Sequence, residues 1–164
     1  MKNIIAFLCA ALFGVCAGLG CSSAFAITAV EDDAMAPALI KGERVLLDLF
    51  VTGEKTLKRG DVVELENLLY VETGEDGRML KRIIGLPRER VSISDGFVWI
   101  EGTPLTGEPF DGIRTGNEVM TERQVPEGSY FVLGDNLPDS TDSRDLTVGM
   151  IREEDILGKV ITEW

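Results

Sequence analysis

Arg78-Met79-Leu80-Lys81-Arg82-Ile83-Ile84-Gly85-Leu86-Pro87 carries the decisive pattern of this sequence. Within it Met79–Ile84 reads as a β-strand, a short apolar stretch closed off by the turn residues Gly85 and Pro87. Successive strand residues point to opposite faces, so Leu80 and Arg82 share one face and Lys81 takes the other. A lone strand lysine most often reaches solvent from a half-buried sheet. Here the chain contains no histidine, so a lysine whose pKa is lowered by burial is the available base for activating a hydroxyl. Lys81, set among apolar neighbours, is the candidate.

The same alternation of short apolar stretches and turn residues runs through the chain from Ile27 onward. Further candidate strands are Phe25–Val30, Arg44–Phe50, Asp61–Leu65, Leu68–Glu72, Arg90–Ser94, Phe97–Glu101, Tyr130–Leu133 and Ile156–Thr162. Lys41-Gly42, Arg59-Gly60-Asp61, Asp76-Gly77 and Asp95-Gly96 punctuate them, and Ser94-Asp95-Gly96-Phe97 reads as a tight hairpin. Only Pro37–Lys41 and Arg152–Ile156 could form a helical turn or two, and Gly107–Arg123, polar and glycine-bearing, reads as a surface loop. The expected fold is mostly β, with packed or rolled antiparallel sheets.

Composition narrows the chemistry further. With 164 residues and 45% hydrophobic content, a single core is the default. Sixteen Lys and Arg against 28 Asp and Glu give a net charge of -12, which opposes binding to nucleic acid. Cys9, Cys16 and Cys21 all precede the domain, which excludes a disulfide framework, a zinc site of cysteines and a cysteine nucleophile within it. No cofactor or metal is expected.

Residues 1–23 read as a membrane anchor or a signal segment, ahead of an exported domain at 24–164. Ile4–Gly20 is an uncharged run of 17 residues, short for a span and long for the apolar part of a secretory signal. Lys2 before the run and Glu31, Asp32 and Asp33 after it place the N-terminus in the cytoplasm and the domain outside. A retained transmembrane helix is favoured over cleavage near Ala24-Phe25-Ala26; Gly18-Leu19-Gly20-Cys21 matches a lipoprotein site only loosely, lacking its usual aliphatic residue. The expected location is the cytoplasmic membrane, single-pass, with the domain on the periplasmic or extracellular side and membrane lipid as a partner.

Five boxes occur in order: Asp33-Ala34-Met35-Ala36-Pro37-Ala38-Leu39, Gly42-Glu43-Arg44-Val45-Leu46, Arg59-Gly60-Asp61-Val62-Val63, Lys81-Arg82-Ile83-Ile84-Gly85-Leu86-Pro87, and Gly134-Asp135-Asn136 running to Ser140-Thr141-Asp142-Ser143-Arg144. Together they resemble the boxes of type I signal peptidases over nearly the whole chain. The resemblance implies a membrane-anchored serine peptidase with a Ser/Lys dyad on a β fold, which removes signal peptides from exported preproteins. It implies Lys81 as general base, Ser140 as the serine that hydrogen-bonds it, and Asp142 and Arg144 as a supporting ion pair, with Asp135 in the same loop. It also implies that Val30, Met35, Leu39 and Leu80 line a shallow apolar pocket for the small residue before the scissile bond. For each of these four, ordinary core packing is the competing reading.

The first box departs from the family at the nucleophile. Where the resemblance calls for Ser-Met-x-Pro, this chain has Ala34-Met35-Ala36-Pro37, and a methyl group cannot attack a carbonyl. Asp32 stands where many members offer a hydroxyl or glycine, and a carboxylate there opposes developing negative charge. An engineered Ser→Ala change accounts for the retained Lys81, Ser140, Asp142 and Arg144; a natural inactive relative accounts also for Ala38 and Asp32. Ser22, Ser23, Ser92, Ser94 and Ser143 lack the following Met-x-Pro and read as structural. An aspartyl mechanism through Asp32 or Asp33 has no other support.

Substrate is expected to add as an extended strand between Ile27–Val30 and Arg78–Lys81. The leading expectation is thus a signal peptidase scaffold in catalytically silent form. Two alternatives are a non-enzymatic relative that holds secreted precursors in assembly or chaperoning, and a self-cleaving Ser/Lys peptidase of the repressor-processing type, against which export argues.

Overall fold

The computed structural model describes residues 24–51, 56–66 and 77–163. Strands β1 (Phe25–Ala29), β2 (Arg44–Asp48), β3 (Val62–Glu66), β4 (Arg78–Gly85), β9 (Ser129–Leu133), β10 (Ile151–Arg152) and β11 (Ile156–Glu163) form a seven-stranded sheet in the order β1-β2-β11-β3-β4-β9-β10. Strands β5 (Arg90–Ser94), β6 (Phe97–Ile100), β7 (Thr103–Pro104) and β8 (Met120–Gln124) form a four-stranded sheet in the order β7-β6-β5-β8. Every ladder among the described residues is antiparallel. The expected mostly-β class therefore holds. No helix among the described residues is long and apolar enough to cross a membrane, and the anchor or signal segment at 1–23 lies outside them.

Strand β9 shows why the apolar patterning produces two layers. Tyr130 and Val132 pack with Val63, Leu65 and Ile83 on one face, while Phe131 and Leu133 pack with Val91, Ile93 and Val98 of the smaller sheet on the other. A strand buried on both faces is apolar at consecutive positions rather than at alternate ones. A third cluster joins Val30, Met35, Leu39, Val45, Leu47 and Leu80 where β1 and β2 meet the start of β4.

The hairpin at Ser94–Phe97 is present: Ser94 pairs with Phe97, and Asp95 and Gly96 both have positive φ, at 53° and 79°. Two residues of that handedness match the twist of the flanking strands. Arg152–Ile156 contains a 3-10 turn at Glu153–Asp155, whereas Pro37–Lys41 has no helix and is a series of turns and bends. The candidate strand Leu68–Glu72 falls outside the described residues.

Gly107–Arg123 differs from expectation. Its last part is β8, paired with β5, and Phe110, Ile113 and Met120 are buried in the inter-sheet core. The Met120–Gln124 strand hides from a sequence reading because only Met120 faces the core, while its other residues lie at the sheet edge and are polar. Two-residue strands β7 and β10 are likewise too short to leave a pattern.

Candidate active site

Three segments converge: the turn after β1 that carries Ala34, the strand β4 that carries Lys81, and the loop from Gly134 to Arg144 that follows β9. The first and third interlock through backbone contacts. The Asn136 amide donates to the Ala34 carbonyl at 2.9 Å, and the Asn136 side chain donates to the Asp33 carbonyl at 3.1 Å. At Gly134, a Cβ would lie 2.3 Å from Ser140 Oγ and 2.5 Å from the Ala34 carbonyl oxygen. Only glycine lets the two segments approach this closely.

The loop is organised around Asp142, which is 1% exposed. Its carboxylate accepts the Ser140 hydroxyl at 2.8 Å, the Gly134 amide at 3.1 Å, and Arg144 Nε at 2.7 Å and Nη2 at 3.0 Å. Arg144 in turn donates to the Leu137 carbonyl, the Ser140 carbonyl and Glu118. Such charge-assisted, multiply satisfied contacts make a rigid support. Ser143 ties the loop to β9, its hydroxyl accepting the Val132 amide at 3.0 Å. A second buried ion pair fixes the loop to β4, with Arg82 Nε and Nη2 donating to Asp135 at 2.7 and 2.5 Å.

Lys81 is 2% exposed, so the competing picture of a solvent-facing strand lysine does not describe it. Burial pushes its ammonium below the usual lysine range, against the opposite pull of the Asp32 and Asp142 charges. Among the described residues Lys81 has no hydrogen-bond or ion-pair partner. The structure departs here from the expected Ser140–Lys81 bond: the Ser140 hydroxyl donates its hydrogen bond to Asp142 instead, an acceptor two residues away in the same loop.

Ala34 is 1% exposed and sits at the centre of this convergence. Its amide is taken by its own turn: it donates to Asp32 Oδ1 at 3.0 Å. Asp32 therefore both caps the Ala34 amide and acts on Lys81 from across the site.

Val30, Met35, Leu39 and Leu80 lie together in the third core cluster, and Met35 is wholly buried. Beside them runs a groove of about 100 Å³, walled by Thr28, Ala29, Glu31 and Asp32 on one side and by Arg78, Met79 and Leu80 on the other. Of the four expected pocket residues only Leu80 lines this groove. Glu64 of β3 also lines it and had no distinguishing mark in the sequence: a charged residue between Val63 and Leu65 reads as the solvent-facing position of a half-buried strand. Asn136 was visible only as part of a box, since the two contacts that give it a role join residues about a hundred positions apart. No group of side chains suited to a metal ion occurs among the described residues.

Residues 1–164 match the family described as signal peptidase, peptidase S26, and the chain belongs to that family. Among individual relatives, Signal peptidase I U of Bacillus subtilis (strain 168) is 33% identical over 137 residues, covering 79% of this chain and 70% of that protein. Signal peptidase I T of the same strain is 34% identical over 143 residues, covering 79% and 68%. A crystal structure of a signal peptidase I from Enterococcus faecalis V583 aligns with a TM-score of 0.49 and 29% identity, covering 65% of this chain and 97% of the other.

Proposed function

We propose that the chain is a signal peptidase I scaffold that receives the signal peptides of exported preproteins and, with Ala34 at the nucleophile position, does not cut them. The observation that carries this reading is the intact support around an absent hydroxyl. Buried Lys81 and the Ser140–Asp142–Arg144 cluster surround a turn whose side chain is a methyl group. Residues 1–23 serve as the membrane anchor in this reading, with the domain at 24–164 on the outer side of the cytoplasmic membrane.

The groove supports an extended substrate. β1 is an edge strand of its sheet, and residues 78–81 of β4 pair only with β3 among the described residues, since the β9 ladder begins at Arg82. Both walls thus offer unpaired backbone to a peptide laid between them as a further strand.

With serine at position 34 the chemistry follows directly. Lys81, in its neutral form, takes the hydroxyl proton while Oγ attacks the scissile carbonyl carbon. Collapse of the tetrahedral adduct expels the amine, which recovers that proton from Lys81 and leaves an acyl-enzyme. Water, deprotonated by Lys81, then releases the peptide. The oxyanion formed on the way needs donors, and the amide of residue 34 is a natural one; Asp32 occupies it and adds a repelling charge. Silence therefore has two causes, the missing hydroxyl and the Asp32 cap.

The test compares Ala34→Ser with Asp32→Ser/Ala34→Ser on a preprotein in detergent at alkaline pH. Cleavage after a small residue, lost again on adding Lys81→Ala, supports the peptidase scaffold. Inertness of both restored forms favours instead the non-enzymatic relative that only holds precursors.

A further inference from the structure

Glu64 is the unexplained charge of the groove. It is 5% exposed, lines the groove, and none of the hydrogen bonds or ion pairs among the described residues involves its side chain. Nothing in the Ser140–Asp142–Arg144 support uses it, and its carboxylate is left to whatever enters the groove. Glu31 and Asp32 line the same groove with Arg78, so three acidic groups face one basic group there and the balance is acidic.

Register shows what reaches Glu64. It pairs with Leu80 across the β3–β4 ladder, so the two side chains share one face. A peptide added along residues 78–81 of β4 lies one strand further out, at about 10 Å from β3. On that face only a long side chain crosses above Leu80 to the carboxylate, and only a cationic one satisfies it; lysine and arginine have both properties.

We propose that Glu64 forms a subsite for a lysine or arginine side chain of the bound peptide, directed to the face that also carries Leu80. This rests on the peptide-groove reading above. Apolar Leu80 receives a small residue on that face in the same reading, so the cation stands an even number of positions away from it along the extended peptide. The groove thereby selects secreted precursors with a basic residue at one register near the cleavage position.

The experiment uses the full Ala34 chain in detergent and fluorescein-labelled peptides with one small residue at a fixed place. Lysine is scanned through the neighbouring positions, and each peptide is matched by one with norleucine there. Fluorescence anisotropy should show binding of the norleucine peptides and affinity about tenfold higher for lysine at one even-spaced position. Glu64→Gln should abolish that gain, so that lysine and norleucine peptides bind alike, with circular dichroism confirming the fold; Glu31→Gln should leave the gain in place. Equal binding of lysine and norleucine peptides overturns the subsite while the groove reading stands. A gain that survives Glu64→Gln does the same, assigning it to the acidic rim. If no peptide binds at all, the groove reading falls and the subsite with it.

Discussion

The loop from Gly134 to Arg144 and the groove between β1 and β4 meet at Ala34, yet they treat polar groups in opposite ways. In the loop, Asp142, Arg144 and Ser143 are buried or half-buried and find their partners within it or on the neighbouring strand, and Asp135 is paired with Arg82. Outside the loop, Lys81 of β4 and Glu64 in the groove are buried, and no hydrogen bond or ion pair among the described residues involves their side chains. Satisfied networks hold a shape, whereas groups left unsatisfied are costly to the fold and are kept where chemistry or a ligand uses them. In the proposed reading the loop is support, and Lys81 and Glu64 are the groups left for a substrate.

The largest effect expected from breaking this division is catalytic. Adding the hydroxyl and uncapping the amide, as Asp32→Ser/Ala34→Ser, should exceed Ala34→Ser alone by about 10²-fold or more in turnover of a preprotein, the usual worth of one oxyanion donor. Equal rates for the two would show that Asp32 leaves the donor usable.

On the support side, Gly134→Ala should lower stability by about 3 kcal/mol, since its Cβ meets Ser140 Oγ and the Ala34 carbonyl well inside contact distance. Thermal unfolding should show Tm falling by roughly 6–12 °C. An unchanged Tm would mean that the loop and the Ala34 turn are not locked together.

In β4, removing a buried charge should do the reverse. The folded-state pKa of Lys81 is depressed by burial, partly opposed by Asp32 and Asp142. Between that value and about 10.4 the unfolded chain holds the proton more tightly, so this lysine's penalty is present at low pH and disappears as pH rises. Lys81→Met should therefore be more stable than the parent near neutrality, by about 1 kcal/mol, with the gap closing toward pH of about 10. Urea unfolding at several pH values measures this, and a pH-independent gap would remove burial as its cause.

The smallest effect concerns the outer edge of the groove. Phe25 and Ile27 of β1 and Leu49 and Phe50 just after β2 are exposed. Because the chain is acidic, contact with a bilayer through them is apolar rather than electrostatic. A domain beginning at Phe25 should sediment weakly with zwitterionic vesicles, independently of salt, and lose this binding in Phe25→Ser/Phe50→Ser. A domain that stays in the supernatant at every ionic strength would leave tethering to residues 1–23.

Much of the architecture was legible because strand formation is written locally. Alternating or continuous apolar runs gave β4, β5, β6 and β9 within a residue or two, and Asp95-Gly96 gave the hairpin between β5 and β6. β8 was not legible, because only Met120 of its residues faces the core. That position 34 carries a methyl group and no hydroxyl could be read directly, since it depends only on which atoms a side chain has.

What the sequence by itself determined is chemical: no histidine, no cysteine in the domain, a methyl group at position 34, and a lysine inside an apolar strand. Only the tertiary structure decided that Lys81 is buried without a partner, that Ser140 turns to Asp142, that Asp32 caps the Ala34 amide, and that Glu64 faces a groove. Solvation and hydrogen bonding depend on what long-range folding brings within a few ångströms. Asp33 and Asn136, far apart in the chain, are joined at 3.1 Å by a contact that no local pattern encodes.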